Sequence, residues 1–251
     1  MIGIGPGDIE HMSLKAYHLL QAVEVIAGYS TYMELVEPLL EPGQEKIISG
    51  MGQEKKRAGK AIARAEAGKS VAVISSGDPG IYGMAGLVLE MLEERESDLE
   101  ANILPGITAG NAAAASLGAP LMHDRAVISL SDLLTPWDKI EIRLKKAAGA
   151  DLIAVLYNPA SSQRREHIRT ARDIFIEYRP GKTPVGIVRS AKRGQEQKTI
   201  TDLEHMLDYE IDMLTTVIIG NSSTFVAKAG SGAGSGDKKS ARLITPRGYE
   251  L

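Results

Sequence analysis

Residues 71–94 read VAVISSGDPGIYGMAGLVLEMLEE, and their reading decides the fold. Val71–Ser75 is a run of β-branched and small residues that predicts a buried strand. Ile81–Glu94 carries apolar residues at helical spacing and predicts a helix. Between them, Ser75–Gly83 places three glycines, an aspartate and a proline in nine residues. A sharply shaped loop at the C-terminal end of a strand is where open α/β sheets hold ligands. Asp78 also reads as a plain helix N-cap, and the two roles can coincide.

The same strand–turn–helix unit recurs on either side. Upstream, Ile2–Gly5 predicts a strand end, residues 13–22 a helix and Val23–Ala27 a second strand. Residues 53–67 predict a polar-faced helix that Gly68 stops. Downstream, Asn102–Leu104 predicts a short strand before Pro105-Gly106, and Thr108–Leu117 an alanine-rich helix. The second half continues with strands at Ala126–Ser129, Leu152–Tyr157, Pro184–Val188 and Thr216–Gly220. Helices are expected from Pro136 to about Ala148 and over Arg165–Tyr178. The alternation predicts an α/β fold with mixed, largely parallel sheets. Gly118–Asp124 reads as a connector, so the expected domains are 1–117 and 118–251. The Gly/Ser-rich stretch 229–240 reads as a flexible loop.

Composition narrows the function. The chain has 251 residues, 43% of them hydrophobic, enough for a sizeable core without staples. It has no cysteine, which excludes disulfides, a catalytic thiol and Cys-ligated metals, and suits a reducing cytoplasm. Net charge is −3 and no basic stripe exists, so no nucleic-acid partner is expected. No apolar run reaches spanning length and no signal peptide is recognisable, so no membrane partner is expected. The five histidines (His11, His18, His123, His167, His205) lack metal-ligand spacing, and no metal is expected. No G-x-S-x-G elbow occurs. Gly68-Lys69-Ser70 and Gly181-Lys182-Thr183 lack the upstream glycine of a phosphate loop, having Ala63 and Ile176 there.

Gly3-Ile4-Gly5-Pro6-Gly7-Asp8 brings backbone close to a ligand. It departs from the dinucleotide fingerprint, because Asp8 replaces the last glycine and the helix starts later. Read together, GIGPGD, SSGDPGIYG and PGITAGNAAAASLGAPLMHD resemble the tetrapyrrole methylase family. ISLSDLLTPW (128–137), LYNP (156–159), RSA (189–191), IGNSST (219–224) and TPRGY (245–249) sharpen the resemblance. They are similar to the subfamily that methylates C-17 of precorrin-3B or cobalt-factor III and promotes ring contraction in cobalamin biosynthesis.

That resemblance implies two α/β domains with S-adenosyl-L-methionine in a cleft between them, a tetrapyrrole substrate and a homodimer. It carries cofactor contacts onto Gly5, Pro6, Gly77, Asp78, Ile81, Tyr82, Thr108, Ala109, Tyr157, Asn158, Thr216 and Val217. The substrate's carboxylates are expected to meet Arg189, Lys192, Arg193 and Arg247. Proton transfers are expected at His123, Asp124, Ser131 or Asp132. The family's first strand has several residues before GIGPGD, so two predict a shortened strand. Three alternatives remain: a sibling methyltransferase acting at another ring carbon, a nicotinamide-dependent oxidoreductase, and a binding protein without turnover.

Overall fold

The computed structural model describes residues 1–161, 164–227 and 241–250. The stretch 229–240 lies outside them. Contacts divide the chain into two units, Met1–Ala109 and Gly110–Leu251.

The first unit runs β1 (Ile2–Gly3), α1 (Leu14–Ala22), β2 (Val25–Tyr29), α2 (Ser30–Val36), β3 (Glu45–Ser49), α3 (Glu54–Glu66), β4 (Val71–Ser75) and α4 (Ala85–Glu94). Its sheet has the order β1-β4-β2-β3 with every pairing parallel. Parallel strands need apolar cover on both faces. Alternation along the strands supplies it. Ile26 and Ile74 point into one cluster with Leu20 and Met33. Val25, Ala27 and Val73 point into the other with Ala58, Ile62 and Val88. Helix ends follow local chemistry. The Ser13 hydroxyl accepts the Ala16 N–H at 3.2 Å and starts α1. Gly68, at φ +83°, closes α3, and Lys69 N–H returns to the Arg64 carbonyl at 3.1 Å.

One helix starts later than the sequence suggests. α4 begins at Ala85 rather than Ile81, because Tyr82 takes a left-handed φ of +54°. Asp78 is not its cap. The Ser75 hydroxyl accepts the Met84 N–H at 3.1 Å instead.

The second unit holds α5 (Ala109–Leu117), β5 (Gly118–Ala119), β6 (Arg125–Ser129), α6 (Trp137–Gly149), β7 (Ile153–Tyr157), α7 (Glu166–Tyr178), β8 (Pro184–Arg189), β9 (Gln197–Asp202), β10 (Thr215–Ile219), β11 (Phe225–Ala227) and β12 (Arg242–Ile244). The main sheet has the order β6-β7-β10-β8-β9. Here β6–β7 is parallel, and the β7–β10, β10–β8 and β8–β9 pairings are antiparallel. The mixed character of the fold therefore lies in this unit. One face is covered by α6 and α7, with Leu144 and Phe175 packed on Leu156, Val217 and Ile219. The other is covered by α5, whose Ala112, Ala113 and Leu117 pack with Val155, Val188 and Ile218.

The sequence reading put α5 before a boundary at 117/118, but its buried face belongs to the second unit's core. Small residues permit the close approach. A Cβ on Gly186 would lie 2.3 Å from Leu117 Cδ1. The expected connector Gly118–Asp124 contains β5, which pairs in parallel with Leu243–Ile244 in a small sheet of order β11-β12-β5.

Candidate active site

Three loops leave the C-terminal edge of the first unit's sheet and are laced together by their own backbone. Gly3 N–H reaches the Leu104 carbonyl at 2.9 Å and Ile4 N–H the Ser75 carbonyl at 3.0 Å. Gly5 and Gly77 exchange hydrogen bonds, at 3.2 and 2.7 Å. The Asp78 carboxylate accepts Gly80 N–H at 2.8 Å and Gly106 N–H at 3.1 Å, joining the second loop to the third.

This lacing leaves no room for side chains. A Cβ on Gly106 would sit 2.1 Å from the Gly77 carbonyl oxygen, and one on Gly3 2.7 Å from the same atom. The N–H groups of Gly3, Ile4, Gly5, Gly77, Gly80 and Gly106 are thus spent inside the rim. They donate to carbonyl and carboxylate oxygens of the rim itself, as near-buried donors must. The carbonyls keep a second lone pair each. With these six donors spent, the carbonyl oxygens beside them carry partial negative charge, which suits a cation. Beyond Gly7 the chain makes a short 3-10 turn over Ile9–His11, and α1 starts only at Leu14. No helix N-terminus therefore follows directly on GIGPGD, as a dinucleotide pyrophosphate needs.

The predicted first-unit residues come together on this rim. Gly5, Pro6, Gly77 and Asp78 form its base. Ile81 and Tyr82 stand exposed beside it, at 43% and 56%. Thr108 and Ala109 follow the third loop, within 3.7 Å of the position a Gly77 Cβ would take.

In the second unit the predicted residues divide. The Tyr157 hydroxyl accepts Gly110 N–H at 2.7 Å, at the start of α5. Asn158, at φ +49°, donates from Nδ2 to the Ser129 hydroxyl at 2.9 Å. Thr216 and Val217 are buried in the central strand β10. Val217 pairs with Leu156 on one side and Ile187 on the other, and its side chain lies in the core. Neither its backbone nor its side chain is open to a ligand.

The four proton-transfer candidates are also split. His123 and Asp124 precede β6, whereas Ser131 and Asp132 follow it. Five residues of strand span roughly 16 Å, so the two pairs stand at opposite edges of the sheet. His123 Nδ1 accepts the Asp124 N–H at 2.9 Å, and both side chains are well exposed. Ser131 and Asp132 stand at the edge where the parallel strands β6 and β7 end.

Of the four basic residues, Arg189 is already engaged. Its Nε donates to Asp212 Oδ2 at 2.8 Å. Burial pushes the Asp212 carboxyl up, but the bonds from Arg189, Thr215 and Leu214 outweigh it and hold it below the ordinary range. Lys192 and Arg193 lie in the turn after β8, where Lys192 N–H reaches Glu196 at 2.9 Å. Arg247 stands exposed beyond β12.

Two residues that sequence reading passed over join Asp132. Arg164 Nε lies 3.8 Å and His167 Nε2 3.6 Å from its carboxylate oxygens. The His167 ring stacks on Trp137, with centroids 3.9 Å apart and planes 14° from parallel. The spacing R-x-x-H at the start of a predicted helix was the available signal, but it needs β6 alongside to acquire meaning.

Among the described residues, no helix is long and apolar enough to cross a membrane. The family profile of the tetrapyrrole (corrin/porphyrin) methylases matches residues 1–207. The whole chain is 48% identical to the cobalt-factor III methyltransferase of Priestia megaterium, of which it spans 45%. It is 47% identical to the probable cobalt-factor III C(17)-methyltransferase of Salmonella typhimurium, covering 99% of that protein. The crystal structure of the methyltransferase CobJ superposes with a TM-score of 0.86 at 32% identity, over 98% of each chain. Uroporphyrin-III C-methyltransferase from Thermus thermophilus, complexed with S-adenosyl homocysteine, superposes at 0.66 with 26% identity, over 87% of this chain and 90% of that one.

Proposed function

This chain belongs to the tetrapyrrole methylase family and is a methyltransferase, and from that premise we propose that it methylates C-17 of cobalt-factor III, with S-adenosyl-L-methionine as donor, in cobalamin biosynthesis. The observation that carries the proposal is the near end-to-end identity of 47% with the Salmonella relative. Precorrin-3B, the cobalt-free counterpart, is the second substrate this reading admits. Ring contraction belongs to the same proposal.

The first unit's rim fits the cofactor. Backbone without side chains at Gly3, Gly5, Gly77 and Gly106 allows close approach, and spent N–H groups leave carbonyl oxygens to meet positive charge. When bound, S-adenosylmethionine supplies an electrophilic methyl on its sulfonium. The protein's task is then chiefly alignment, and orientation supplies most of the help. Gly5, Pro6, Gly77, Thr108 and Ala109 hold the cofactor, with Ile81 and Tyr82 as its apolar flank. Asp78 works through the loops it ties together. Tyr157, Asn158 and Thr216 complete the set carried over by resemblance. Val217 serves as core.

Ser131 and Asp132 are the residues we retain for proton handling, because they stand at the sheet edge where α/β folds place ligands. Leu133 and Leu134, 79% and 93% exposed on the same loop, offer apolar surface to a flat macrocycle. Homodimerisation and a cytoplasmic location extend the proposal, and size-exclusion chromatography with light scattering tests the first.

Thermal melting with and without S-adenosylhomocysteine tests the reading, with NAD as control. At a hundredfold excess over Kd, binding adds about 2.7 kcal/mol. For a chain of this size the midpoint should rise by roughly 5–10 °C. A shift with NAD instead would favour an oxidoreductase. Product analysis by NMR with cobalt-factor III then separates C-17 from other ring carbons.

A further inference from the structure

The group formed by Asp132, Arg164 and His167 is built in an unusual way. Both side chains are pinned by one carbonyl. Arg164 Nη1 and His167 Nδ1 each donate to the Leu130 oxygen, the second at 2.9 Å. Arg164 Nη1 also reaches the Asn158 carbonyl at 3.0 Å. Trp137 closes one face of the imidazole. With those bonds made, and Arg164 Nη2 set 3.6 Å from Met213 Sδ, the remaining nitrogens, Arg164 Nε and His167 Nε2, both turn to the same side.

Among the described residues, Asp132 is the carboxylate that faces them, and it does so loosely. Its distances of 3.8 and 3.6 Å are roughly an ångström beyond a formed charge-assisted hydrogen bond. A fully formed pair in the same protein, Arg189 with Asp212, closes to 2.8 Å. The exposure is asymmetric too. The Arg164 and His167 side chains are 13% and 16% exposed, whereas Asp132 is 46% exposed on an irregular loop. A guanidinium withdrawn from water calls for a close anion. α7 adds to the demand, since it begins here at Glu166 without a side-chain cap, and its N-terminus favours negative charge.

We propose that Arg164 and His167 form a carboxylate subsite for an acidic side chain of the macrocyclic substrate, and that Asp132 occupies it loosely until that carboxylate displaces it. The inference rests on the proposed tetrapyrrole substrate. It differs from the sequence-based choice of Arg189, whose guanidinium is already committed.

The test uses a stable porphyrin octacarboxylate, uroporphyrin III, and the quenching of Trp137, the single tryptophan of the chain. A placeholder and a structural partner give opposite signs. Asp132→Asn removes the competing charge, so porphyrin should bind about fivefold tighter. His167→Asn keeps a donor for the Leu130 carbonyl but removes Nε2, and should weaken binding about tenfold. Arg164→Lys should act in the same direction. Kd for S-adenosylhomocysteine, measured by calorimetry on the same proteins, should change less than twofold.

Equal or weaker porphyrin binding by Asp132→Asn overturns the proposal, as does a wild-type protein that binds no porphyrin. A loss confined to S-adenosylhomocysteine also overturns it, by assigning the subsite to the cofactor's carboxylate. Failure of the wild type to bind S-adenosylhomocysteine would instead count against the methyltransferase reading itself, so the two failures are read separately.

Discussion

The Tyr157 hydroxyl, at the end of β7, accepts the N–H of Gly110 in the first turn of α5 at 2.7 Å. First-turn N–H groups have no partner within their own helix. A Cβ at Gly110 would lie 2.9 Å from Val155 Cγ1 and 3.0 Å from that hydroxyl, so the helix start is seated closely on the strand. Tyr157→Phe leaves the donor unpaired while keeping the ring. It should cost about 1 kcal/mol, a fall of roughly 2–4 °C in melting midpoint. If Tyr157 also serves the cofactor, the rise in midpoint on adding S-adenosylhomocysteine should shrink in the same variant.

Asp78 carries a sharper expectation, because its carboxylate serves two loops at once. Asp78→Ala abandons the N–H groups of Gly80 and Gly106 together. A stability loss of about 2 kcal/mol should accompany at least a tenfold weaker affinity for S-adenosylhomocysteine. Asp78→Asn keeps one acceptor oxygen and should fall between the two. Isothermal calorimetry with urea denaturation checks both numbers.

The residues of the glycine rim were legible in the sequence because turn chemistry is local. GIGPGD, SSGDPGIYG and LPGIT announce loops wherever the strands go. The use of their N–H groups was not legible, since Gly5 and Gly77 are distant in the chain and meet only through the β1–β4 pairing. Strands such as β3 (EKIIS) and β9 (QKTITD) escaped notice for a related reason. They are edge strands with few buried residues, so hydrophobic periodicity is faint. Antiparallel insertion of β10 between β7 and β8 is a tertiary fact that a β-α-β rhythm does not reveal. Arg164 and His167 gained meaning only when parallel pairing of β6 and β7 put their loops side by side.

Acid should loosen the second unit through Glu196. Burial pushes its carboxyl up, but hydrogen bonds from Lys192 N–H and the Ser116 hydroxyl, both at 2.9 Å, hold it below the ordinary value. A depressed folded-state value means the stabilisation is complete above the unfolded value of about 4.3 and is lost as pH falls through the folded one. The melting midpoint of the wild type should therefore drop more steeply below about pH 4.3 than that of Glu196→Gln. Parallel curves for the two proteins would show that the contact contributes nothing to acid sensitivity.

Arg179 is a structural cation, and its loss should be felt in stability alone. Its side chain is 2% exposed and lies over the Phe175 ring, 4.8 Å from the centroid. The guanidinium donates to the carbonyls of Gly220, Ala147 and Leu152, the last at 2.7 Å. Arg179→Met leaves those buried acceptors unpaired and should cost about 3–5 kcal/mol in urea denaturation. Arg179→Lys should cost nearly as much, because one ammonium does not reproduce the planar fork.

Two glycine substitutions should move stability in opposite directions. Gly106→Ala would drive its Cβ to 2.1 Å from the Gly77 carbonyl oxygen and 2.9 Å from the Gly3 carbonyl carbon. Both obstacles are backbone, so the loops themselves must part, at about 3 kcal/mol or more. Parting them also undoes the rim, and S-adenosylhomocysteine should no longer raise the melting midpoint. Gly59 sits inside α3, where an added Cβ meets only the far ends of Arg95 and Met91 at 3.5 and 3.6 Å. Gly59→Ala should stabilise by about 0.5–1 kcal/mol through helix propensity alone, with ligand response intact. If Gly106→Ala kept the full ligand response, the interlocked loops could not be the cofactor's seat.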